Sequence, residues 1–171
     1  AMIDRRTFLK LSAGALVLTA AGALTGCGAT MDLNHPKQEV EGVTFLCDVI
    51  AKTDLSGGEG KKVQYKPYFA IWNQSGEAVS IPRKDITGVF TENGCEPEKM
   101  VFIAEPLEVG AKQYREFSRF DFCLETENSI PPSHENATPS RENGTYELRI
   151  KYKGKTVVFF YDGKNTTSCV E

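Results

Sequence analysis

Alternating apolar and polar positions recur in short segments from Val40 to the end of the chain. Turn signals rich in Gly, Asn and Pro separate these segments, and no long stretch beyond Val40 follows a 3.6-residue period. This pattern predicts an all-β fold, a β-sandwich of about seven to nine strands. The strands are predicted at 43–51, 63–72, 79–82, 85–91, 98–104, 113–125, 146–152 and 156–162.

Three details refine this prediction. Pro67 predicts an edge position or a bulge near the start of strand 63–72, because proline cannot donate to a sheet ladder. Segment 113–125 is predicted as one long strand whose apolar residues share a face, with a register shift or bulge at Ser118–Arg119. Residues 153–155, Lys-Gly-Lys, predict a hairpin turn between the last two segments. The apolar face of segment 113–125 is formed by Phe117, Phe120, Phe122 and Leu124.

The beginning of the chain differs from the rest in its pattern of charged and apolar residues. Ala1 before Met2 is interpreted as a cloning remnant; residues 2–10 are basic, and residues 11–25 are apolar without one charge. An apolar run of this length is short for a hydrocarbon core of ~30 Å and typical of a signal peptide. A buried core helix is the alternative, but Ala and Gly dominate the run and no amphipathic face is present.

The basic segment resembles the twin-arginine export signals of bacteria. The resemblance implies export of a folded domain, and Asp4 departs from the pattern at a position where Ser or Thr is usual. The matching residues are Arg5, Arg6, Phe8, Leu9 and Lys10.

The end of the apolar run resembles a bacterial lipobox, formed by Leu24, Thr25, Gly26 and Cys27. The resemblance implies that the Cys27 thiol accepts diacylglycerol and that a peptidase cleaves between Gly26 and Cys27. Acyl chains anchor a protein firmly when more than one is attached, since each buried methylene contributes about 0.8 kcal/mol. Residues 1–26 are therefore expected to be a signal peptide, and the protein is expected on the extracytoplasmic face of a bacterial membrane.

The residues after Cys27 are polar and contain Gly, Asn and Pro. We expect residues 27–39 to form the lipidated end and a flexible tether, and residues 40–171 to form the β-sandwich domain. His35 lies in this tether, where a solvated linker residue is favoured over a ligand.

Part of the domain resembles small secreted immunoglobulin-like domains. The stretch "YFAIWNQSGEAVSIP" is similar to their strand–Asn–turn–strand segment, and "EPLEVGAKQYREFSRFDF" is similar to the turn before a long strand. The resemblance covers about residues 63–125 and implies an immunoglobulin-like fold without any implied catalytic residue.

Four cysteines remain when Cys27 is set aside: Cys47, Cys95, Cys123 and Cys169. Four cysteines in an exported domain allow two disulfides in three connectivities. Cys47 and Cys123 are predicted on different strand faces, which favours pairing Cys95 with Cys123 and Cys47 with Cys169. Four free thiols are the alternative. No C-x-x-C spacing is present, so a zinc site is not predicted.

Other candidate sites are compared with plainer interpretations. The aromatic pair Tyr68 and Trp72 alternates with Ala70 and is interpreted as core packing, with a carbohydrate platform as the alternative. The long polar loop 127–144, which contains His134, is either a mobile excursion or a recognition loop. Two acidic groups are interpreted as solvated surface, with a cation site as the alternative. These are Glu92, Glu96 and Glu98, and Asp121, Glu125 and Glu127.

The net charge of −3 does not favour binding to nucleic acid, which requires a basic surface. Both histidines lie in predicted loops, so no histidine-based triad is predicted, and neither a cofactor nor a metal is expected. The favoured function is a non-catalytic, membrane-anchored accessory module that binds an unknown protein or glycan. An envelope enzyme or an inhibitor of one is the alternative, and a solute-binding subunit ranks last because those proteins are far longer.

Overall fold

The computed structural model describes residues 34–48, 55–56, 62–92, 95–128 and 144–171. These residues form fourteen strands and one 3₁₀ turn, Arg83–Asp85. The all-β prediction is confirmed, and the strands outnumber the predicted seven to nine because several have only two or three residues. The strands are β1 Lys37–Val40, β2 Val43–Asp48, β3 Leu55–Ser56, β4 Lys62–Tyr65, β5 Tyr68–Asn73, β6 Val79–Ile81, β7 Ile86–Glu92, β8 Glu98–Phe102, β9 Leu107–Val109, β10 Tyr114–Phe117, β11 Leu124–Thr126, β12 Gly144–Tyr152, β13 Lys155–Tyr161 and β14 Thr166–Val170.

All strand pairs are antiparallel and form three sheets. The largest has eight strands in the order β14-β13-β12-β7-β8-β11-β4-β3. A second sheet has four strands in the order β1-β2-β5-β10, and β6 pairs with β9 alone. We call these the large sheet, the small sheet and the β6–β9 pair.

The large and small sheets contribute to one hydrophobic core. Phe69 of the small sheet stacks on Phe122 with ring centroids 4.0 Å apart, and the Phe122 ring lies 5.2 Å from that of Phe102 in the large sheet. Such aromatic contacts contribute about 0.5–1.5 kcal/mol beyond the area they bury. Packing across these rings therefore joins the two layers directly.

The predicted hairpin between the last two long segments is present. Tyr152 is opposite Lys155, and the two residues between them have positive φ angles, 48° at Lys153 and 76° at Gly154. Two consecutive residues with positive φ are typical of the type I′ turn, whose twist matches that of the flanking strands. Glycine at the second position adopts this conformation without the steric cost of a Cβ.

Two predicted strands are each divided between sheets. Segment 63–72 separates at Lys66–Pro67 into β4 of the large sheet and β5 of the small sheet. Segment 113–125 separates into β10, which pairs with β5, and β11, which pairs with β8 and β4. The expected bulges are therefore crossings from one sheet to the other, which alternation within a segment cannot distinguish from continuous strands.

The small sheet begins earlier than expected. Strand β1 starts at Lys37, within the segment predicted as flexible tether, and pairs with β2 along its whole length. Its Gln38 amide donates to the backbone oxygen and the hydroxyl of Ser168 in β14, at 3.0 and 2.9 Å. The first and last described strands are therefore joined at one edge of the two layers.

Candidate binding surfaces

A turn between β10 and β11 places an aromatic ring in solvent. Phe120 is 76% exposed, the most exposed of the three large hydrophobic residues that stand out at the described surface. The Ser118 hydroxyl accepts from the backbone N–H groups of Phe120 and Asp121 and donates to the Asp121 carboxylate, at 3.2, 3.3 and 3.0 Å. The Ser118 carbonyl accepts from the backbone of Asp121 and Phe122, both at 2.9 Å. We call residues 118–122 the aromatic turn.

The aromatic turn is anchored to the core by Phe122, which is completely buried and packs against the rings of Phe69 and Phe102. A turn with five internal hydrogen bonds and a buried anchor two residues away loses little conformational freedom when it meets a partner. Phe120 was predicted to share the core-facing side of Phe117 and Phe122, and that prediction is wrong. The Ser-x-x-Asp spacing at 118–121 is the sequence signal that could have identified the turn.

A shallow cavity of about 200 Å³ lies beside the aromatic turn and opens to solvent. It lies where β4 and β8 end and β11 begins, so three neighbouring strands of the large sheet contribute to it. Its floor includes the buried Cys123, and its rim combines apolar and cationic side chains. The lining residues are Gln64, Lys66, Ile103, Ala104, Arg119, Phe120 and Cys123.

The rim of this cavity has a defined chemical character. Ile103 is 43% exposed, and the Arg119 guanidinium carbon lies 5.1 Å from the centroid of the Phe120 ring. A guanidinium over an aromatic face gains about 0.5–1 kcal/mol at an exposed site. The surface therefore offers two apolar contacts beside positive charge from Arg119 and Lys66.

A second organised site is the junction at the end of β5. Asn73 is completely buried, and its amide donates to the carbonyls of Glu77 and Gly110 at 2.7 and 2.9 Å and to that of Val109 at 3.4 Å. Its side-chain oxygen accepts from the backbone and the hydroxyl of Ser75, at 3.0 and 2.7 Å. This side chain joins the turn after β5 to the turn after β9, the two segments whose sequences resemble immunoglobulin-like domains.

A third cluster lies at the start of the described chain. The His35 Nδ1 lies 3.2 Å from the Asp48 carboxylate, and the His35 ring lies 4.2 Å from that of Tyr68. Thr166 donates to the second oxygen of Asp48 at 3.0 Å. His35 was predicted as a solvated linker residue; it is instead half-buried and held by two elements of the small sheet.

Tyr68 continues this cluster toward β10. Its hydroxyl lies 2.8 Å from that of Tyr114 and donates to Glu116 at 3.3 Å. Partial burial, followed by the contacts with Tyr114 and Glu116, raises the pKa of Tyr68 above its ordinary value. The phenol therefore stays protonated throughout the neutral range and serves as a hydrogen-bonding group.

Tyr68, Ala70 and Trp72 share one face of β5, as the alternation predicted, but this face is opposite the core. The core cluster includes Phe69 and Ile71 from the same strand and none of the three. Trp72 is only 5% exposed, so it does not form an open platform for a sugar. The burial predicted for Trp72 is therefore confirmed, although this residue lies outside the main core cluster.

The four cysteines in the described part of the chain are free thiols, so neither predicted disulfide is present. Cys95 lies before the start of β8. The Cys123 carbonyl accepts a hydrogen bond from the backbone N–H of Ile103, which follows the other end of β8. The five steps from Glu98 to Ile103 span about 16 Å. The Cα atoms of a disulfide lie within about 7 Å of each other, so Cys95 and Cys123 are too far apart to pair.

Cys47 and Cys169 are separated in another way. Cys47 is completely buried in the core, whereas Cys169 is exposed on the edge strand β14. Burial raises the pKa of the Cys47 thiol, and its hydrogen bond with Tyr65 opposes that shift only in part. Cys47 is therefore an uncharged core group.

The acidic groups do not converge on a cation site. Glu125 accepts from Gln64 at 2.8 Å, and Glu127 pairs with Lys99 at 2.7 Å, while Asp121 belongs to the aromatic turn. Glu92 is buried at the end of β7. Among the residues that the structure describes, no three His, Cys, Asp or Glu side chains are grouped as a metal site.

Several predictions fall outside the described residues. They are the export signal, the lipobox with Cys27, and most of loop 127–144 with His134. No helix within the described ranges is long and apolar enough to cross a membrane. Comparison with protein families, curated proteins and solved structures finds no match to this chain.

Proposed function

We propose that this protein is a lipoprotein, anchored through Cys27 to the extracytoplasmic face of a bacterial membrane. Its domain is a non-catalytic, immunoglobulin-like module that binds a protein partner. The observation that carries the binding proposal is Phe120, 76% exposed on a hydrogen-bonded turn. Together with Ile103, which lines the same cavity, the ring offers an apolar contact surface, and burying such a surface against a partner is favourable.

The chemistry of the aromatic turn indicates the kind of partner. Aromatic and Arg side chains are enriched among the residues that dominate binding energy at protein interfaces. Phe120 and Ile103 would cover an apolar side chain of the partner, and Arg119 would pair with a neighbouring carboxylate. Full burial of one such aromatic side chain contributes about 1.5–3 kcal/mol.

The immunoglobulin-like assignment rests on two features of the packing. Two antiparallel sheets share a single core, which is the layer arrangement of sandwiches. Asn73 joins the two turns that carry the sequence resemblance, through hydrogen bonds to Glu77 and Gly110. Antiparallel sandwiches use turns at their ends for recognition, and the aromatic turn lies between two strands of different sheets.

The anchoring half of the proposal is tested by intact mass spectrometry of the natively expressed protein. We expect a chain that begins at Cys27 and carries acyl mass, and a Cys27→Ser variant that keeps residues 1–26 and has no acyl mass. An unmodified chain that still begins at Met2 would overturn the anchoring proposal and leave the binding proposal untouched.

The binding half is tested by placing a photo-crosslinking phenylalanine analogue at position 120 in cells. Phe160, which is 38% exposed on β13, offers a matched control because the same analogue replaces the same residue type there. We expect one discrete protein adduct at position 120, absent at position 160 and abolished by Arg119→Glu. Equal adducts at both positions would contradict the proposal, as would retention on purified cell-wall glycan without any protein adduct.

A further inference from the structure

The cavity beside the aromatic turn is small. Its volume is about 200 Å³, below the range of about 300–1,000 Å³ that is usual for small-molecule sites. It opens to solvent where strands β4, β8 and β11 of the large sheet meet. A space of this size accommodates one side chain of a partner, not a whole cofactor or a folded element.

The described residues that line this cavity combine apolar groups with positive charge and include no acidic side chain. Ile103, Ala104 and Phe120 supply the apolar contacts, and Arg119 and Lys66 supply the charge. The Arg119 guanidinium carbon lies 5.1 Å from the centroid of the Phe120 ring, so the cation and the apolar surface are adjacent. An occupant that uses both must carry an apolar group and an anionic group close to each other.

The carboxylates next to the lining residues have other partners. Glu125 accepts from Gln64 at 2.8 Å, and Glu105 pairs with Arg83 at 2.6 Å. Asp121 accepts from the serine hydroxyl of the aromatic turn at 3.0 Å. Because none of these three forms an ion pair with Arg119 in the described structure, the guanidinium can pair with a carboxylate from a partner.

The last residue of a protein chain carries both required groups. Its α-carboxylate and its side chain are attached to the same Cα atom. In an extended internal segment, a carboxylate must come from another residue: the next side chain points to the opposite face, and the one after it lies about 7 Å further along. Capture of a C-terminal carboxylate is a recurring mode of peptide recognition.

We propose that this cavity binds the C-terminal residue of a protein partner, with an apolar side chain between Ile103 and Phe120 and the terminal carboxylate paired with Arg119. The planar guanidinium suits this role because its N–H groups match the two oxygens of a carboxylate. This assignment rests on the protein-binding function proposed above, and it narrows the partner to a chain end with an apolar last residue such as leucine.

The test is peptide binding to the full-length protein, followed by NMR through the δ1 methyl signal of Ile103, which is assigned from an Ile103→Val variant. The probe is an acetylated tripeptide that ends in leucine with a free carboxylate, and it is compared with the same peptide as a C-terminal amide. We expect the free acid to shift the signal saturably. It should bind about tenfold or more tightly than the amide, which is the gain expected from a hydrogen bond to a charged group.

Two arginine variants identify the group that recognises the carboxylate. Arg119→Gln should remove the preference for the free acid over the amide. Arg115→Gln is the matched control, because this arginine is also exposed and also lies over an aromatic ring, 4.5 Å from the centroid of Phe117, but is not among the described residues that line the cavity. The preference should remain in this control.

Equal affinities for the acid and the amide would overturn the inference, as would the absence of a shift with either peptide, or a preference that both arginine variants remove. Equally tight binding of a peptide with an internal leucine followed two residues later by aspartate would also overturn it. Crosslinking at position 120 separates these failures from a failure of the proposed function. A discrete protein adduct that persists when the partner's last residue is deleted would keep the protein-binding function and exclude C-terminal recognition.

Discussion

Asn73 provides a quantitative test of how the turns of this domain are held. We consider Asn73→Ala, which removes one buried side chain and leaves its partners in place. The carbonyls of Glu77 and Gly110 lose a donor at 2.7 and 2.9 Å, and the backbone N–H of Ser75 loses its acceptor at 3.0 Å. The remaining bonds, to Val109 and to the Ser75 hydroxyl, are lost with them.

The magnitude follows from which partners water can reach. A typical hydrogen bond contributes about 1 kcal/mol net, and a buried group left unsatisfied costs about 1–3 kcal/mol. Glu77 is exposed and can bond to water, whereas the Val109 carbonyl shares a buried bond with Asn73. We therefore expect a loss of about 3 kcal/mol in the free energy of unfolding, a large part of the 5–15 kcal/mol that is usual for a domain.

The assay is equilibrium urea unfolding followed by the fluorescence of Trp72, which is adjacent in β5. Asn165→Ala is the matched control, because it makes the same chemical change at an exposed position and should stay within about 0.5 kcal/mol of the parent. Asn73→Asp keeps the size and the acceptor but removes both donor hydrogens, so it should cost at least as much as alanine. A loss below about 1 kcal/mol for Asn73→Ala would refute the reasoning.

Three further outcomes are expected. Gly88→Ala should lower the free energy of unfolding by about 1–3 kcal/mol, because the added Cβ would lie 2.9 Å from a methyl group of Leu124, while the control Gly76→Ala has nothing within 4 Å and should change little. Equal urea midpoints for the two variants would contradict this expectation. Gly154→Ala should cost about 1 kcal/mol from its φ of 76° alone, checked by the same titration. A thiol reagent, read out by peptide mapping, should label Cys169 and spare Cys47 up to mildly alkaline pH, because burial raises the pKa of the Cys47 thiol and keeps it protonated. Labelling of Cys47 as fast as Cys169 would contradict this expectation and show that the core opens.

Alternation in the sequence identified the strands well but not the sheets to which they belong. Residues 113–125 alternate almost without interruption, yet β10 and β11 lie in different layers. The pattern reports only that neighbouring side chains face opposite ways, and this holds on either side of a crossing. Pro67 was recognised as a break for a sound reason, but its consequence depends on long-range pairing that a local pattern does not contain.

The aromatic turn shows where hydrophobicity misleads. Phe120 follows the spacing of its buried neighbours, so its apolar character predicted burial, whereas the hydrogen bonds of Ser118 and Asp121 turn the ring outward. His35 was mistaken in the opposite direction, because a polar neighbourhood in sequence says nothing about the Tyr68 ring against which it packs. Both errors concern residues whose environment is set by segments distant in the sequence.

The hydrogen bonds from the Gln38 side chain to Ser168 have a mechanical consequence. A pull on the chain before Asn34 is transmitted to β1, which is paired with β2 along one edge and linked on the other side to Ser168 of β14 by side-chain hydrogen bonds. Force directed along β1 loads these hydrogen bonds in shear, so several must break together, whereas a force across the strand would open them one at a time. The domain is thus built to resist tension from its N-terminal side, and β14, although last in the chain, bears part of that load.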